Sequence, residues 1–179
     1  MATISSAERE AGVQQLESRK EMFLTIVAPL SREQWRFKPA PQRWSIAEIT
    51  EHLTLAEIAS LQRVQESLAS QRLTETLEAR DLAIQTRVAG RQNLVQSPLT
   101  LAPADRWPIE DDLVAAFCGA RENTIAFLRA TQADLRHHAV EHFRIGPMDC
   151  YQWMLFLAAH TERHLAQMKE IQAVSGYPA

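Results

Sequence analysis

The chain has 179 residues, 46% of them hydrophobic, and a formal net charge of -3. That length supports one ordinary core, so a single domain over residues 1–179 is expected. A slightly acidic balance with scattered lysines and arginines argues against nucleic acid, and the longest apolar run, Met154 to Ala159, is far below the roughly 20 residues of a membrane span.

The opening stretch, Met1 to Glu10, lacks the apolar core of a secretory signal, and cytoplasmic residence is the expectation. From Ser6 to Leu30 the residues Val13, Leu16, Phe23, Ile26, Val27 and Leu30 recur at helical spacing. Pro39 and Pro41 then exclude a regular helix through the connection. Ser45 and Glu48 form a capping-box signature that opens a second long helix. Its inward stripe is Ile49, His52, Leu53, Ala56 and Ser60.

Between about Leu73 and Pro108 the periodicity loosens. A short helix over Glu78–Val88, ended by Gly90, is expected there, and Pro98, Pro103 and Pro108 mark a long connection. A structureless loop of that length is uncommon, so the segment is read as functional or partly helical. A third long helix starts near Ile109, with Glu110, Asp111 and Asp112 at its positive end and Leu113, Phe117, Ala120, Phe127 and Leu128 as its core face. Gly146 and Pro147 break the chain before a fourth, which Asp149 can cap. That helix carries Trp153, Leu157, His160, His164, Met168 and Ile171 on one line. With only 5 glycines and no sustained strand-like alternation, the chain reads as all-α, a four-helix bundle.

His52 stands on the inward stripe of one helix, and His160 and His164 stack one turn apart on another. Packing those faces together puts three imidazoles in one interior, where burying them unpaired is costly. Three such nitrogens can hold a metal and leave a coordination position free. The competing reading is three hydrogen-bonded core histidines. The run His160-Thr161-Glu162-Arg163-His164 is not a zincin motif: Thr161 stands where the general-base glutamate belongs, and Glu162 points to the opposite side of the helix.

Glu48, one turn before His52, has two readings. It can orient a ligand imidazole or take a proton from bound water; it can also be just the glutamate of the capping box, and the latter is favoured. Arg163 can contact an anionic substrate group or simply be solvated. Trp44, Trp107 and Trp153 can line an apolar pocket or belong to the core. His137, His138 and His142 are read as structural or surface residues. Cys118 and Cys150 form neither a CxxC motif nor a disulfide framework; Cys150, near a helix start, can have a lowered thiol pKa but is more simply a packing residue. Leu155 and Phe156 lie off the main stripe of the last helix and point to a second buried face and a helix-helix dimer contact.

The stretch Trp44-Ser45-Ile46-Ala47-Glu48-Ile49-Thr50-Glu51-His52-Leu53 resembles the second-helix motif of the DinB-like (YfiT-like) metalloenzyme family. Ile145-Gly146-Pro147 through Gln152-Trp153, then His160 through Gln167, looks like that family's last helix. The Leu101–Trp107 connection and the Arg121-bearing helix are similar as well. The resemblance implies an up-down-down-up four-helix bundle with a divalent metal, zinc or nickel, on three histidines that match His52, His160 and His164. It further implies a small-molecule substrate, a low-molecular-weight thiol among the candidates, and a homodimer. Thiol transfer and hydrolysis by activated water both suit such a site. A non-catalytic bundle stapled by its metal, acting as a binding or stress-related module, is the rival reading.

Overall fold

The computed structural model describes residues 4–69, 73–90 and 98–179. Four long helices dominate: α1 (Ser6–Val27), α3 (Ile46–Ser67), α5 (Glu110–Ala130) and α6 (Cys150–Gln172). Two short helices, α2 (Arg32–Arg36) and α4 (Asp81–Ala89), and a hairpin of β1 (Ala139–His142) and β2 (Gly146–Asp149) fill the connections. Capping boxes start α1, α2, α3 and α6, from Ser5/Glu8, Ser31/Gln34, Ser45/Glu48 and Asp149/Gln152. Each satisfies two backbone N–H groups that a helix start otherwise leaves unpaired. α5 has no side-chain cap, and its first turn carries Glu110, Asp111 and Asp112 toward the positive helix end.

Cross-helix contacts give the helix directions. Tyr151 donates to the Glu8 carbonyl and Arg19 bridges to Glu162, so α1 and α6 run parallel with one constant offset. His52 meets His160 while Ser67 meets Cys150, so α3 runs against α6. Arg9 reaches the Leu128 carbonyl and Arg121 the Leu16 carbonyl, so α5 runs against α1. The order is up-down-down-up. α1 and α3 each pack against both α5 and α6, which makes the sequence neighbours α1 and α3 diagonal. The diagonal step from α1 to α3 takes a connection that carries α2, and the parallel neighbours α3 and α5 need a long crossover, which carries α4.

The interior holds two apolar clusters. One contains Val13, Leu16, Val64, Ile125, Leu128 and Trp153. The other contains Phe23, Ile49, Leu53, Leu113, Phe117 and Met168. Along each helix the residues between them are polar: Glu57 and Ser60 on α3, Arg121 and Thr124 on α5, Thr161 and His164 on α6, all buried. Arg121, at 0% exposure, donates to Glu57 at 2.9 Å and to the Thr161 hydroxyl at 2.7 Å.

Three features depart from expectation. Leu155 and Phe156 do form a second buried face of α6, but α4 covers it within the chain through Ile84 and Val88, so that face is not left for a dimer contact. The hairpin pairs Ala139 with Asp149 and His142 with Gly146, whose φ of +83° makes the turn natural for glycine. Strands of four residues are too short to print a readable alternation. Helix α2 sits in the connection read as irregular, before the two prolines. The connection from 73 to 108 is partly helical as expected, with 3₁₀ turns at Glu78–Arg80 and Leu99–Leu101 beside α4; its residues 91–97 lie outside the described residues.

Candidate metal centre

α3 and α6 bring His52, His160 and His164 together, as their spacing predicts. Each ring offers its Nε2 atom to a common point. The His160 Nε2 lies 3.3 Å from that of His52 and 3.1 Å from that of His164. Metal–nitrogen bonds of about 2.0–2.1 Å put two ligand nitrogens about 3.3–3.4 Å apart at tetrahedral angles and about 2.9 Å apart at right angles. The observed separations fall within that span.

The far side of two rings is tied down. His52 Nδ1 donates to the Leu101 carbonyl at 3.0 Å, and His164 Nδ1 donates to Gln167 Oε1 at 2.9 Å. Both Nε2 atoms therefore present lone pairs to the cluster. His160 Nδ1 is buried with no hydrogen-bond partner among the described residues. If His160 carries its proton on Nε2, it can satisfy only one of its two neighbours. If it carries it on Nδ1, that N–H is stranded and three lone pairs converge. A cation at the convergence relieves the lone-pair conflict in the second case, and the donor set fits a divalent metal.

Burial disfavours protonation at this point. It lowers the His52 pKa against the Leu101 hydrogen bond, and it drives the His160 pKa well below its ordinary value, helped by the adjacent His164 and His52. Neutral imidazole is the form that ligates. Aromatic rings wall the cluster. The Trp44 ring lies 5.0 Å from His52 and 6.5 Å from His164, and Phe156 stacks on His160 at 5.3 Å.

Other candidates land elsewhere. Glu48 has both oxygens engaged, one by the Ser45 amide at 2.8 Å and the other by Lys38 at 2.9 Å, and among the described residues no hydrogen bond joins it to a histidine. The capping-box reading describes its contacts. Glu162 pairs with Arg19, on the side away from the histidines. Arg163 donates to the Gly90 carbonyl. Of the three candidate tryptophans, among the described residues, only Trp44 lies against His52 and His164; Trp153 stands against His142 and donates its indole N–H to the Val140 carbonyl, and Trp107 is partly buried against the cluster that holds Leu113. His137 pairs with Asp134, whereas His142 is half-buried against Phe156, which in turn stacks on His160. Burial pushes the Cys150 thiol up to about 11 and raises Cys118, which leaves neither as a thiolate at neutral pH. Two contributors escaped sequence reasoning: the Leu101 carbonyl, which holds His52, and Gln167, whose place three residues after His164 on α6 was a usable signal.

An up-down-down-up bundle with three imidazoles facing one point defines a helical protein able to hold a metal ion. The chain belongs to the DinB superfamily, whose family model matches residues 15–168. It is similar in structure to YfiT from Bacillus subtilis, described as "a probable metal-dependent hydrolase with an unusual four-helix bundle topology", at a TM-score of 0.65 and 14% identity over 99% of this chain and 93% of that one. It is also similar to TT2238, described as a four-helix bundle protein, at a TM-score of 0.60 and 13% identity over 90% of this chain and 98% of that one. At these identities the likeness concerns the fold. No curated protein matches the chain in sequence.

Proposed function

We propose that this protein is a metal-dependent enzyme of the S-transferase type, holding zinc or nickel on His52, His160 and His164 and acting on a small-molecule substrate with a low-molecular-weight thiol. The convergence of three Nε2 atoms, two of them with their Nδ1 atoms already bonded, carries the reading. A divalent cation held there supplies a Lewis acid that lowers the pKa of a bound thiol or water. Three protein donors leave room for an exchangeable ligand, which favours a reactive site over a structural staple closed by four.

The choice of a thiol over water rests on the carboxylates near the site. Glu48 is held by its cap and Lys38, Glu51 by backbone amides, Glu57 by Arg121 and Glu162 by Arg19. A cation held there would acidify a thiol enough for its proton to pass to solvent at neutral pH, without a positioned base. Hydrolysis usually recruits a positioned base to carry that proton. Trp44 and Phe156 offer apolar surface beside the histidines to a substrate. Hydrolysis is the second reading, favoured by what is said of YfiT.

Elemental analysis of protein purified without added metal, followed by thiol titration of the cobalt(II)-substituted form, tests the proposal. We expect about one divalent ion per chain and a sulfur-to-cobalt charge-transfer band on thiol addition. Metal content unaffected by His52→Ala would remove the site. A loaded protein that shows no thiol band but cleaves activated esters would move the assignment to hydrolase.

A further inference from the structure

The connection between α4 and α5 reaches the histidines through the Leu101 carbonyl, and a carboxylate on α3 holds the segment that follows it. Glu51 precedes His52 on α3 and is only 3% exposed. Its Oε1 accepts from the Ala104 amide at 3.0 Å and the Arg106 amide at 3.4 Å, and its Oε2 accepts from the Asp105 amide at 2.9 Å. The Arg106 guanidinium adds a fourth donor to the carboxylate, 2.6 Å from Oε1. Three successive amides thus fold around one carboxylate. The middle residue, Asp105, has φ of +56°, the one left-handed non-glycine among the described residues. Such a conformation persists only where surrounding contacts dictate it.

Packing does little to hold this turn. A cavity of about 320 Å³ lies beside it, lined by Glu48, Glu51, Pro103, Ala104, Asp105 and Trp107 among others. Charge does the holding: Arg36 on α2 grips Asp105 at 2.7 Å and the Pro108 carbonyl at 2.7 Å, while Glu51 grips the backbone between. Leu101 is three residues from the nearest of those amides, and Arg106 ties the turn back to the Ala102 carbonyl at 3.1 Å. Consecutive residues on a helix point about 100° apart. Glu51 can therefore hold the turn while His52 reaches the cluster and touches the same connection at Leu101.

We propose that Glu51 is a positioning residue for the metal centre. By gathering the amides of Ala104 to Arg106 it keeps the Leu101 carbonyl against His52 Nδ1. That bond places the ring proton on Nδ1 and leaves the Nε2 lone pair facing His160 and His164. Without it the ring is free to carry its proton on Nε2, the form that cannot ligate through that atom. The proposal rests on the three-histidine metal reading, but its first test does not.

The test compares wild type with Glu51→Ala and Glu51→Gln. In metal-free protein at a pH where the histidines are neutral, long-range ¹H–¹⁵N correlation spectra report which nitrogen of each ring holds the proton. We expect His52 to hold it on Nδ1 in wild type, to shift substantially toward Nε2 in Glu51→Ala, and to lie between in Glu51→Gln, which keeps one acceptor oxygen. His164, held from α6 by Gln167, serves as the unmoved control. Cobalt(II) affinity measured by competition should weaken 10- to 100-fold in Glu51→Ala. A folded Glu51→Ala with His52 unchanged, or a loss of affinity without a tautomer shift at His52, overturns the proposal. Should Glu51→Ala fail to fold, Glu51→Gln decides by the same spectrum. Wild type that binds no cobalt(II) defeats the metal reading, and the tautomer spectrum then still judges the role of Glu51.

Discussion

Arg121 and Glu57 form an ion pair at 2.9 Å with exposures of 0% and 2%. Removing one partner leaves the other charge buried, a loss of about 3–5 kcal/mol. Arg121→Met strands the Glu57 carboxylate, whose Oε1 already has no partner among the described residues. At about 2–4 °C per kcal/mol for a chain of this size, the melting temperature should fall by about 6–20 °C. The double variant Glu57→Leu/Arg121→Met behaves differently. It removes both charges, fills the layer with apolar volume, and leaves the Thr161 hydroxyl its bond to the Leu157 carbonyl at 3.0 Å. Its stability should lie within about 1 kcal/mol of wild type or above it. Urea unfolding of wild type, Arg121→Met, Glu57→Leu and the double variant, followed by far-UV circular dichroism, gives the cycle. Losses that simply add in the double variant would refute the argument, since the cost would then come from packing and not from an orphaned charge.

A divalent metal at about a thousand times its dissociation constant should stabilise the fold by about 4 kcal/mol, seen as a rise in melting temperature. His160→Ala should abolish that rise, and a full rise in the variant would place the ion elsewhere. His142 has its pKa lowered to about 4 by burial and by Arg63, Arg144 and Arg87, and its Nδ1 accepts from the Arg144 and Ile145 amides. A folded-state value below the unfolded one means the stability is present above pH 6.5 and lost as pH falls through 4. The ceiling is about 3 kcal/mol, and partial exposure of the ring reduces it to about 1–2 kcal/mol. His142→Asn should flatten the pH dependence of the urea midpoint between pH 7 and 4.5; an unaltered slope would assign the acid sensitivity to other groups. Gly12 sits where α1 closes on its neighbours, and a Cβ there would meet Leu128 at 3.0 Å and Tyr151 at 3.2 Å. Gly12→Val should destabilise by about 1–3 kcal/mol by thermal melting, and a gain in stability would contradict the close packing of α1 against α5 and α6.

The amino-acid order alone determined the long helices, the caps of two of the four capping-box helices (Ser45 with Glu48, and Asp149) and the facing of His52, His160 and His164. These are short-range matters: a 3.6-residue period and a cap are written within a few neighbouring positions. The tertiary structure alone decided what meets what. Leu155 and Phe156 plainly wanted a covering surface, but nothing near them says that α4, some seventy residues earlier, would provide it. Glu48 and Glu51 are both acidic residues beside a histidine. One serves its own helix and the other a turn beginning at Ala104, because only the folded connection brings three amides to Glu51. The hairpin and the buried Arg121 pairing follow the same rule: contacts between distant segments depend on how whole helices pack, and that information is spread over every core residue at once.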